Sequence, residues 1–426
     1  MKKSKKNILV LGLGQSNFLN QLYGEILERN CSFNFIIDIL THLPNDKNNK
    51  AKVFFEESLN FEKYLAHFTR RQKIIILLKA LKKSFYREVF YFEISQKKTI
   101  RAALKSCSRL ALKENIYKKH IESKKFDILH FHFCTSRNLE YLHFVQEGTK
   151  VICSFWGSDL FRVSNQHNNY YVSKALKKAS IITVQSPEMG LVVQAKYGIN
   201  LSDKIRDIRF TLSKDIYQFI DLYRNNDKIL DEFKAKYNLK KDNFIVALAH
   251  NAFKENNHLK IIIALKELSK TYKDKITFIL HLSYGRNEDY IKKLKNIVDH
   301  SKDLDIKIIE EFLGPNEISK LRLITNVMIQ APISDALSGA MTEVLYANNK
   351  VIVGGWLPYG ILRRNHIKFE EFDYFRELPS KLIESLEVED FKVTTGNKNQ
   401  NNIEKFLFPE NTSNDWIKLF NTLINE

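Results

Sequence analysis

Two acidic residues eight positions apart flank the predicted start of a helix in the C-terminal half of the chain. Asp335 precedes this start and Glu343 lies in the second turn, while Ser338 and Gly339 open the helix. Ser is a good N-cap, and Gly lets a ligand approach the backbone closely. Because a helix N-terminus offers unpaired N–H groups and partial positive charge, we predict that it binds a phosphate or diphosphate. The two carboxylates are better placed for the hydroxyls of a sugar or a ribose.

The segments around this helix alternate between predicted strands and helices. Apolar runs predict strands at residues 7–11, 33–40, 126–132, 151–155, 180–186, 244–249, 276–282, 306–309, 327–329 and 351–353. At the N-terminus a strand, a Gly-rich turn, a helix and a second strand form a Rossmann-like unit, and the alternation restarts near residue 244. With 426 residues, 44% of them hydrophobic and 27% charged, the chain suits two α/β domains.

Residues with possible chemistry also follow the strands of the N-terminal half. Gly12 and Gly14 come after the first strand, His130 and His132 end another, and Asp159 follows a Gly turn after the next. The two histidines share one strand face, but no third residue has the spacing of a metal ligand, so we predict no metal site. A carboxylate at a strand end can take the proton of an acceptor hydroxyl, which makes Asp159 a candidate base, with helix N-capping as its alternative role. His132 is a further catalytic candidate, and a position in the core or the cleft is the alternative for both histidines.

The spacing of Asp335 and Glu343 resembles the Glu-x7-Glu element of GT-B glycosyltransferases, especially the large retaining family 4. In that family the first acid contacts the donor sugar and the second contacts the nucleotide ribose. The resemblance implies these roles for Asp335 and Glu343, with Asp in place of the first Glu. The D-I-L-H-F-H stretch at 127–132 and the F-W-G-S-D stretch at 155–159 resemble the N-domain of the same enzymes. The implied fold has two Rossmann-like domains that face each other across a cleft.

The loop after the first strand of the C-terminal half departs from family 4. The Arg and Lys that usually clamp the donor diphosphate there are missing, and Asn251, Lys254 and His258 stand in the loop instead. The Asn-Asn-His at 256–258 and the Leu-Ser-Tyr-Gly at 282–285 are similar to the TDP-Fuc4NAc transferases, which build lipid-linked oligosaccharides. The donor-binding residues implied by these resemblances are Gly14, Asn251, Lys254, His258, Tyr284, Ser338, Gly339 and Glu343. The implied catalytic residues are Asp159, His132 and Asp335.

The same resemblance implies a domain division. Residues 1–214 form an acceptor-side domain and residues 215–242 a bridge. Residues 243–410 form the nucleotide-sugar-binding domain, and residues 411–426 form a helix that crosses back to the N-domain.

The net charge of +18 suggests polyanionic partners, but no nucleic-acid-binding module is recognisable, and we predict no nucleic acid. A basic helix predicted at residues 70–87 suits either the surface of a membrane or core packing with a solvated Lys face. No secretory signal or membrane span is visible, and the four cysteines are scattered, which favours a reducing compartment. We therefore expect a cytoplasmic protein, peripheral on the inner face of a bacterial membrane if the basic helix binds lipid.

Taken together, these residues predict a glycosyltransferase of the hexosyltransferase type. It would move a sugar from a UDP-, TDP- or GDP-linked donor to a lipid-linked or surface-polysaccharide acceptor, such as lipopolysaccharide or capsule. The resemblance to family 4 implies retention of configuration, and we expect neither metal nor other cofactor. Two alternatives remain. An NAD-dependent sugar-nucleotide oxidoreductase or epimerase would use Gly12 and Gly14, with Asp38 on a ribose, whereas a non-catalytic GT-B-like protein would bind the donor without turnover.

Overall fold

The computed structural model describes residues 5–14, 16–38, 55, 57–387 and 397–426. The chain divides into two compact units, one of residues 1–211 and 412–426 and one of residues 212–411. Residues 215–242, predicted as a bridge, belong to the second unit by this division. Residues 39 and 40 of the predicted second strand lie outside the described residues.

A parallel sheet forms the centre of the first unit. Its strands are β1 (Lys6–Leu11), β2 (Phe33–Asp38), β3 (Glu57–Leu59), β4 (Ile128–His132), β5 (Val151–Ser154), β6 (Ile181–Val184) and β7 (Ile205–Asp207). They lie in the order β3-β2-β1-β4-β5-β6-β7, and each neighbouring pair is parallel. The order reverses between β1 and β4, and open α/β sheets bind ligands beyond the carboxyl ends of the strands at such a switch point.

Helices alternate with these strands along the chain of the first unit. They are α1 (Asn17–Arg29), α2 (Lys63–Ala66), α3 (Arg70–Ala80), α4 (Ser84–Ser95), α5 (Ile100–Ile116), α6 (Ser158–Phe161), α7 (Gln166–Leu176) and α8 (Pro187–Tyr197). Helix α1 begins at an N-cap, because the Ser16 hydroxyl accepts from the Leu19 N–H at 3.3 Å. Leu19, Tyr23 and Ile26 of α1 are fully buried in one core with residues of β1 and β2.

The basic segment predicted as one helix at 70–87 forms two helices, α3 and α4. A capping box of Thr69 and Gln72 fixes the start of α3. Three large apolar side chains of α3 stay exposed, with relative exposures of 59% for Ile74, 44% for Ile75 and 59% for Leu78. Among the described residues, no helix is both long and apolar enough to cross a membrane.

The second unit is built on another parallel sheet. Its strands are β8 (Phe244–Leu248), β9 (Ile276–His281), β10 (Asp305–Ile309), β11 (Val327–Gln330), β12 (Lys350–Gly354) and β13 (Glu370–Phe372). The order β10-β9-β8-β11-β12-β13 repeats that of the first six strands of the first unit, and all pairs are parallel. The switch point of this sheet therefore lies between β8 and β11.

Helices of the second unit connect these strands. They are α9 (Lys214–Tyr223), α10 (Asp227–Lys236), α11 (His258–Leu265), α12 (Lys270–Lys273), α13 (Glu288–Asp299), α14 (Pro315–Ile324), α15 (Gly339–Tyr346), α16 (Gly360–Arg364), α17 (Leu378–Glu387) and α18 (Asn397–Leu407). Helix α15 runs between β11 and β12, and its Met341, Val344 and Leu345 are fully buried in a core with Met328 and Val351 of those strands. This packing fixes the helix start that the sequence marks with Ser338.

The last helix, α19 (Pro409–Asn425), ends in the first unit, to which residues 412–426 belong. Its Trp416, Phe420 and Leu423 are buried in the core that holds Phe33 and Phe35 of β2. Both units are thus α/β structures with parallel sheets, and the predicted fold class is confirmed in this respect.

Candidate functional site

The switch point of the first unit, which we call the first crevice, is the space beyond the carboxyl ends of β1 and β4. Gly12 follows β1 with φ +100°, and a Cβ on it would lie 2.2 Å from the carbonyl oxygen of His132. Only Gly can occupy this position, because the loop after β1 presses directly on the end of β4. Gly14 also has a positive φ, of 69°.

A chain of hydrogen bonds joins the two histidines of β4 inside the first crevice. Trp156 Nε1 lies 3.2 Å from His132 Nδ1, and Tyr23 OH lies 2.7 Å from His132 Nε2 and 2.8 Å from His130 Nδ1. Because an indole can only donate, we assign the proton of His132 to Nε2, which then donates to Tyr23, whose hydroxyl donates to His130. Every ring nitrogen of His132 is engaged.

The chain continues to the neighbouring strands, because His130 Nε2 lies 2.7 Å from Ser154 Oγ and Ser154 Oγ lies 2.6 Å from Thr183 Oγ1. Both histidines are fully buried. Burial lowers the pKa of His132 to about 3 and the pKa of His130 well below its usual range. The rings are therefore neutral, which favours a packing role for His132 in the crevice, and its catalytic role stays a prediction.

Asp159 is enclosed by backbone N–H groups at the end of β5. Its Oδ1 accepts from the N–H groups of Trp156 at 2.9 Å, Gly157 at 2.9 Å and Leu160 at 3.1 Å. Its Oδ2 accepts from Cys134 N at 2.7 Å. Burial raises the pKa of Asp159 to about 6, although these hydrogen bonds lower it. With no exposed surface, the carboxylate ties the loop after β5 to the loop after β4. These contacts favour a structural role, and the role of Asp159 as a base stays a prediction.

The second crevice is the space beyond the carboxyl ends of β8 and β11, and three hydrogen bonds hold its loops together. The Ala252 N–H donates to the Tyr284 carbonyl at 2.7 Å, and the Ile333 N–H donates to the Glu255 carbonyl at 2.8 Å. Asn257 Nδ2 donates to the Ala331 carbonyl at 2.8 Å. The loop after β8 is thereby fixed to the loops after β9 and β11.

Asn251 shapes this loop through its side chain. Its Oδ1 accepts from the Phe253 N–H at 3.0 Å and from Asn256 Nδ2 at 2.7 Å. Asn251 is nearly buried, so its position agrees with a role in setting the loop that borders the crevice. Lys254, in contrast, is exposed in the same loop.

The start of α15 borders the second crevice and has free backbone donors. The Ser338 hydroxyl accepts from the Met341 N–H at 3.2 Å, and the Ser338 carbonyl accepts from the Thr342 N–H at 3.1 Å. The preceding N–H groups, of Gly339 and Ala340, make no hydrogen bond within the described part of the chain. The start of α15 therefore offers two available donors among the described residues, and phosphate binding there stays a prediction.

The two acids that flank this start have different partners. Asp335, half-buried, accepts a hydrogen bond from the Tyr359 hydroxyl at 2.6 Å. Glu343 Oε2 accepts from Arg322 Nε at 2.9 Å, and both side chains are largely buried. Glu343 Oε1 faces the first turn of the helix, 3.9 Å from where a Cβ on Gly339 would lie.

Arg322 is the cation that sequence reasoning missed. It lies on α14, 21 residues before Glu343, and only the packing of the folded unit brings the two together. Burial, and next the charge of Arg322, lower the pKa values of His250 and His281 to about 4. Arg322 is thus close to residues at the carboxyl ends of β8 and β9, where a diphosphate would need a positive charge.

Two neutral histidines of the second crevice keep one ring nitrogen without a hydrogen-bond partner in the described structure, Nε2 of His258 and Nδ1 of His281. The other nitrogen of His258 lies 3.0 Å from the Tyr290 hydroxyl. Nε2 of His281 lies 2.9 Å from Ser283 Oγ. Burial lowers the pKa of His258 to about 4. Buried polar atoms without partners are costly, so both nitrogens are candidates for ligand contact.

Exposed aromatic rings stand at the rim of the second crevice. Tyr284 is more than half exposed and meets Phe253 edge to face with ring centroids 5.3 Å apart. Trp356 is also exposed, and its Nε1 donates to the Pro332 carbonyl at 2.8 Å. Such rings suit a nucleobase or a sugar face. No group of three or more His, Cys, Asp and Glu side chains that could hold a metal occurs in the ranges that the structure describes.

Comparisons with known proteins agree with this architecture. A family model described as glycosyl transferase 4-like matches residues 76–186, within the first unit. No curated protein matches the sequence of the chain. Solved structures match over nearly the whole chain. A glycosyltransferase from Rickettsia africae has a TM-score of 0.70 at 14% identity, over 99% of both chains.

Two further matching structures have names that mention UDP. HepE of Anabaena, in complex with UDP and glucose, has a TM-score of 0.65 at 11% identity, over 98% of this chain and 100% of that one. An α,α-trehalose-phosphate synthase (UDP-forming) from Burkholderia vietnamiensis has a TM-score of 0.65 at 8% identity, over 99% of this chain and 98% of that one. At these identities the likeness shows the fold, which is GT-B. Together with the family match it supports a glycosyltransferase, whereas the resemblance to TDP-Fuc4NAc transferases stays a prediction.

Proposed function

We propose that the protein transfers a sugar from a nucleotide diphosphate donor to a glycan or glycolipid acceptor, and that the second crevice binds the donor. One observation carries this proposal. The free N–H groups at the start of α15 lie between Asp335 and Glu343 in sequence, and Glu343 is held by the buried Arg322. Backbone donors and an arginine suit a diphosphate, and carboxylates suit hydroxyls.

The donor would then be held by groups of different chemistry. The N–H groups of Gly339 and Ala340 face the diphosphate, and Arg322 adds positive charge. Glu343 offers Oε1 to the ribose hydroxyls, while Asp335, oriented by Tyr359, meets the sugar. The free ring nitrogens of His258 and His281 add polar atoms to the lining of the second crevice. Tyr284 at the rim is available to stack on the nucleobase.

In the reaction the bond between the sugar and the diphosphate breaks, and negative charge develops on the departing phosphate oxygen. Fixed backbone donors and Arg322 stabilise this charge in the proposal, so the reaction needs no metal. Because the polar atoms of Asp159 and His132 are already hydrogen-bonded inside the first unit, neither takes the acceptor proton in this proposal. The departing phosphate oxygen, which gains charge as the bond breaks, is the proposed proton acceptor. Retention of configuration is proposed from the resemblance to family 4.

The acceptor is proposed to be a lipid-linked or surface-polysaccharide intermediate at the inner face of a bacterial membrane. Helix α3 supports this, because Ile74, Ile75 and Leu78 are exposed on it beside basic side chains. An exposed apolar face with flanking Arg and Lys is typical of helices that lie in a membrane interface. The proposed protein is therefore peripheral on the membrane through α3.

A thermal-shift screen against UDP, TDP, GDP and NAD tests the donor site. A ligand at 100 times its dissociation constant stabilises the protein by about 2.7 kcal/mol, which shifts the melting temperature by several degrees. We expect one nucleoside diphosphate to shift it. Glu343→Gln, which keeps an acceptor for Arg322 but loses the charge, should reduce the shift. Glu317→Gln, a half-buried carboxylate of α14 that pairs with Lys320, serves as the control.

Other outcomes of the screen separate the alternatives. A shift with NAD alone, unaffected by Glu343→Gln, would favour the oxidoreductase or epimerase. A nucleoside diphosphate that binds while the matching nucleotide sugar is neither transferred nor hydrolysed would favour the non-catalytic binding protein.

A further inference from the structure

A second polar pocket lies in the first unit, beside the first crevice. Its volume is about 260 Å³, and residues of α4, α5, α7 and the loop after β4 line it. Three cationic side chains, Lys98, Arg109 and Arg137, line it together with the two acids Glu93 and Glu140. No residue of this pocket was singled out by the sequence, because its members come from four separated segments.

The two acids of the pocket are already used by neighbouring side chains. Glu93, fully buried, accepts from the Tyr171 hydroxyl at 2.6 Å, pairs with Lys98 and lies 3.0 Å from His167 Nε2. Glu140 pairs with Arg109 at 3.2 Å. These carboxylates therefore hold the cations in place and offer little to a ligand.

The unused hydrogen-bonding capacity of the pocket consists of donors. Arg137 is exposed and has no ion pair or hydrogen bond from its side chain within the described residues. Arg109 pairs through Nη2, which leaves its other N–H groups available. The hydroxyls of Ser106 and Ser136 also line the pocket. Cations exceed acids, and free donors exceed free acceptors, so the matching ligand is an anion.

We propose that this pocket binds an anionic group, a phosphate or a carboxylate, and that this group belongs to the acceptor. The second part rests on the proposed function. It is supported by the position of the pocket, because Ala80 of α3 is buried in one core with Tyr86, Cys107 and Tyr171 of α4, α5 and α7. The helices that line the pocket thus pack against α3, which carries the exposed apolar side chains.

Titration calorimetry on the full chain tests the pocket. The probes are inorganic phosphate and glucuronate, added after the second crevice is filled with the nucleoside diphosphate that the thermal-shift screen identifies. We expect at least one probe to bind, with about tenfold or greater loss of affinity in Arg137→Gln, the loss typical of one charged hydrogen bond. Arg101→Gln, an exposed arginine of α5 outside the pocket lining, should change the affinity less than twofold.

Each result decides the proposal. Binding of phosphate alone that depends on Arg137 assigns the anion to a phosphate-bearing acceptor, and binding of glucuronate alone assigns it to an acidic sugar. Binding of both supports a general anion site. Failure of both probes to bind, or equal losses in Arg137→Gln and Arg101→Gln, would overturn the pocket. If no nucleoside diphosphate binds while the Arg137-dependent binding remains, the proposed function fails and the anion site stands.

Discussion

The two crevices lie at the same place in the same strand order, but their polar groups differ in whether they have hydrogen-bond partners. In the first crevice, Trp156, His132, Tyr23 and His130 form one continuous set of hydrogen bonds. In the second crevice, the free ring nitrogens of His258 and His281 and the N–H groups at the start of α15 have no partner in the described structure. A buried polar group without a partner costs free energy, and a ligand that supplies the partner offsets this cost.

This difference indicates where each unit can bind a ligand. The first crevice is completed by the side chains of its own unit, whereas the second is completed by a ligand in our proposal. A ligand of the first unit therefore has to be sought beside the crevice, and the pocket that contains Arg137 is such a place. Equivalent positions in two similar sheets need not have equivalent functions, because the side chains at the strand ends decide what is left unpaired.

Arg322→Met should have the largest effect, because it removes one partner of a buried ion pair in the second unit. We expect a loss of about 3–5 kcal/mol in the free energy of unfolding, since Glu343 would remain buried and unpaired. Nucleoside diphosphate binding should weaken as well. Urea denaturation and calorimetry measure both. Arg286→Met is the control, because the pairs of Arg286 with Glu288 and Glu310 are exposed and contribute less than about 1 kcal/mol. Equal losses in the two variants would contradict the special position of Arg322.

Asp159→Asn tests whether the first crevice is structural. The amide nitrogen would face a backbone N–H in place of a carboxylate oxygen, so we expect a loss of about 2–3 kcal/mol in stability. Nucleotide binding by the folded protein should not change. Asp203→Asn, an exposed carboxylate of the same unit, should stay within about 0.5 kcal/mol of the wild type. A variant of Asp159 that keeps full stability but loses turnover would restore the predicted role as a base.

Local patterns predicted the fold and the start of the helix α15. Runs of apolar residues predicted ten of the thirteen strands in the described residues, because buried parallel strands are apolar along their whole length. The sequence missed the short strands β3, β7 and β13, whose residues are mostly exposed or half-buried. Ser338 and Gly339 marked the start of α15, because capping depends on residues close together in sequence. The predicted single helix at 70–87 was wrong in one respect, since the chain breaks between α3 and α4.

Long-range contacts set the limit of prediction. Arg322 reaches Glu343 only through the packing of two helices, and its sole local signal is a charged residue among apolar neighbours on α14. Asp159 and His132 have the sequence context of strand-end catalytic residues. Whether their polar atoms are free depends on the N–H of Cys134 and on the Trp156 indole, which a pattern of residue types does not specify. The assignment of sites therefore needs the structure more than the assignment of strands does.

Asp38→Asn tests a buried carboxylate of the first unit that has one oxygen without a hydrogen-bond partner in the described residues. Asp38 Oδ1 accepts from the Phe61 N–H at 3.1 Å, but Oδ2 has no partner in the described residues. Burial raises the pKa of Asp38 from 3.8 to about 7. The folded state thus binds the proton more tightly than the unfolded chain, and stability falls as the pH rises from about 4 to 7.

The variant should remove this dependence on pH. Relative to the wild type, Asp38→Asn should gain about 2–3 kcal/mol in stability between pH 5 and pH 8. Melting temperatures of both proteins at the two pH values measure this gain. A difference between the proteins that does not change with pH would show that Asp38 keeps its charge in the folded state.

Leu78→Asn tests the membrane contact proposed for the first unit. Binding to vesicles that contain anionic lipids should weaken about tenfold, because an exposed leucine of α3 would no longer enter the interface. Leu222→Asn, an equally exposed leucine of α9, is the matched control. Co-sedimentation with vesicles measures the binding. If both variants bind like the wild type, α3 is not the contact surface.

Chelation should have the smallest effect. In the second crevice the proposed stabilisation of the departing diphosphate comes from the N–H groups of Gly339 and Ala340 and from Arg322, which are covalent parts of the unit and cannot be removed by a chelator. The rate of sugar transfer or donor hydrolysis should therefore be the same within error in EDTA and in Mg²⁺. Activity that disappears in EDTA and returns with Mg²⁺ would show that a metal ion stabilises the charge of the diphosphate. The second crevice would then be incomplete without that ion, and Asp335 or Glu343 would have to be reconsidered as a metal ligand.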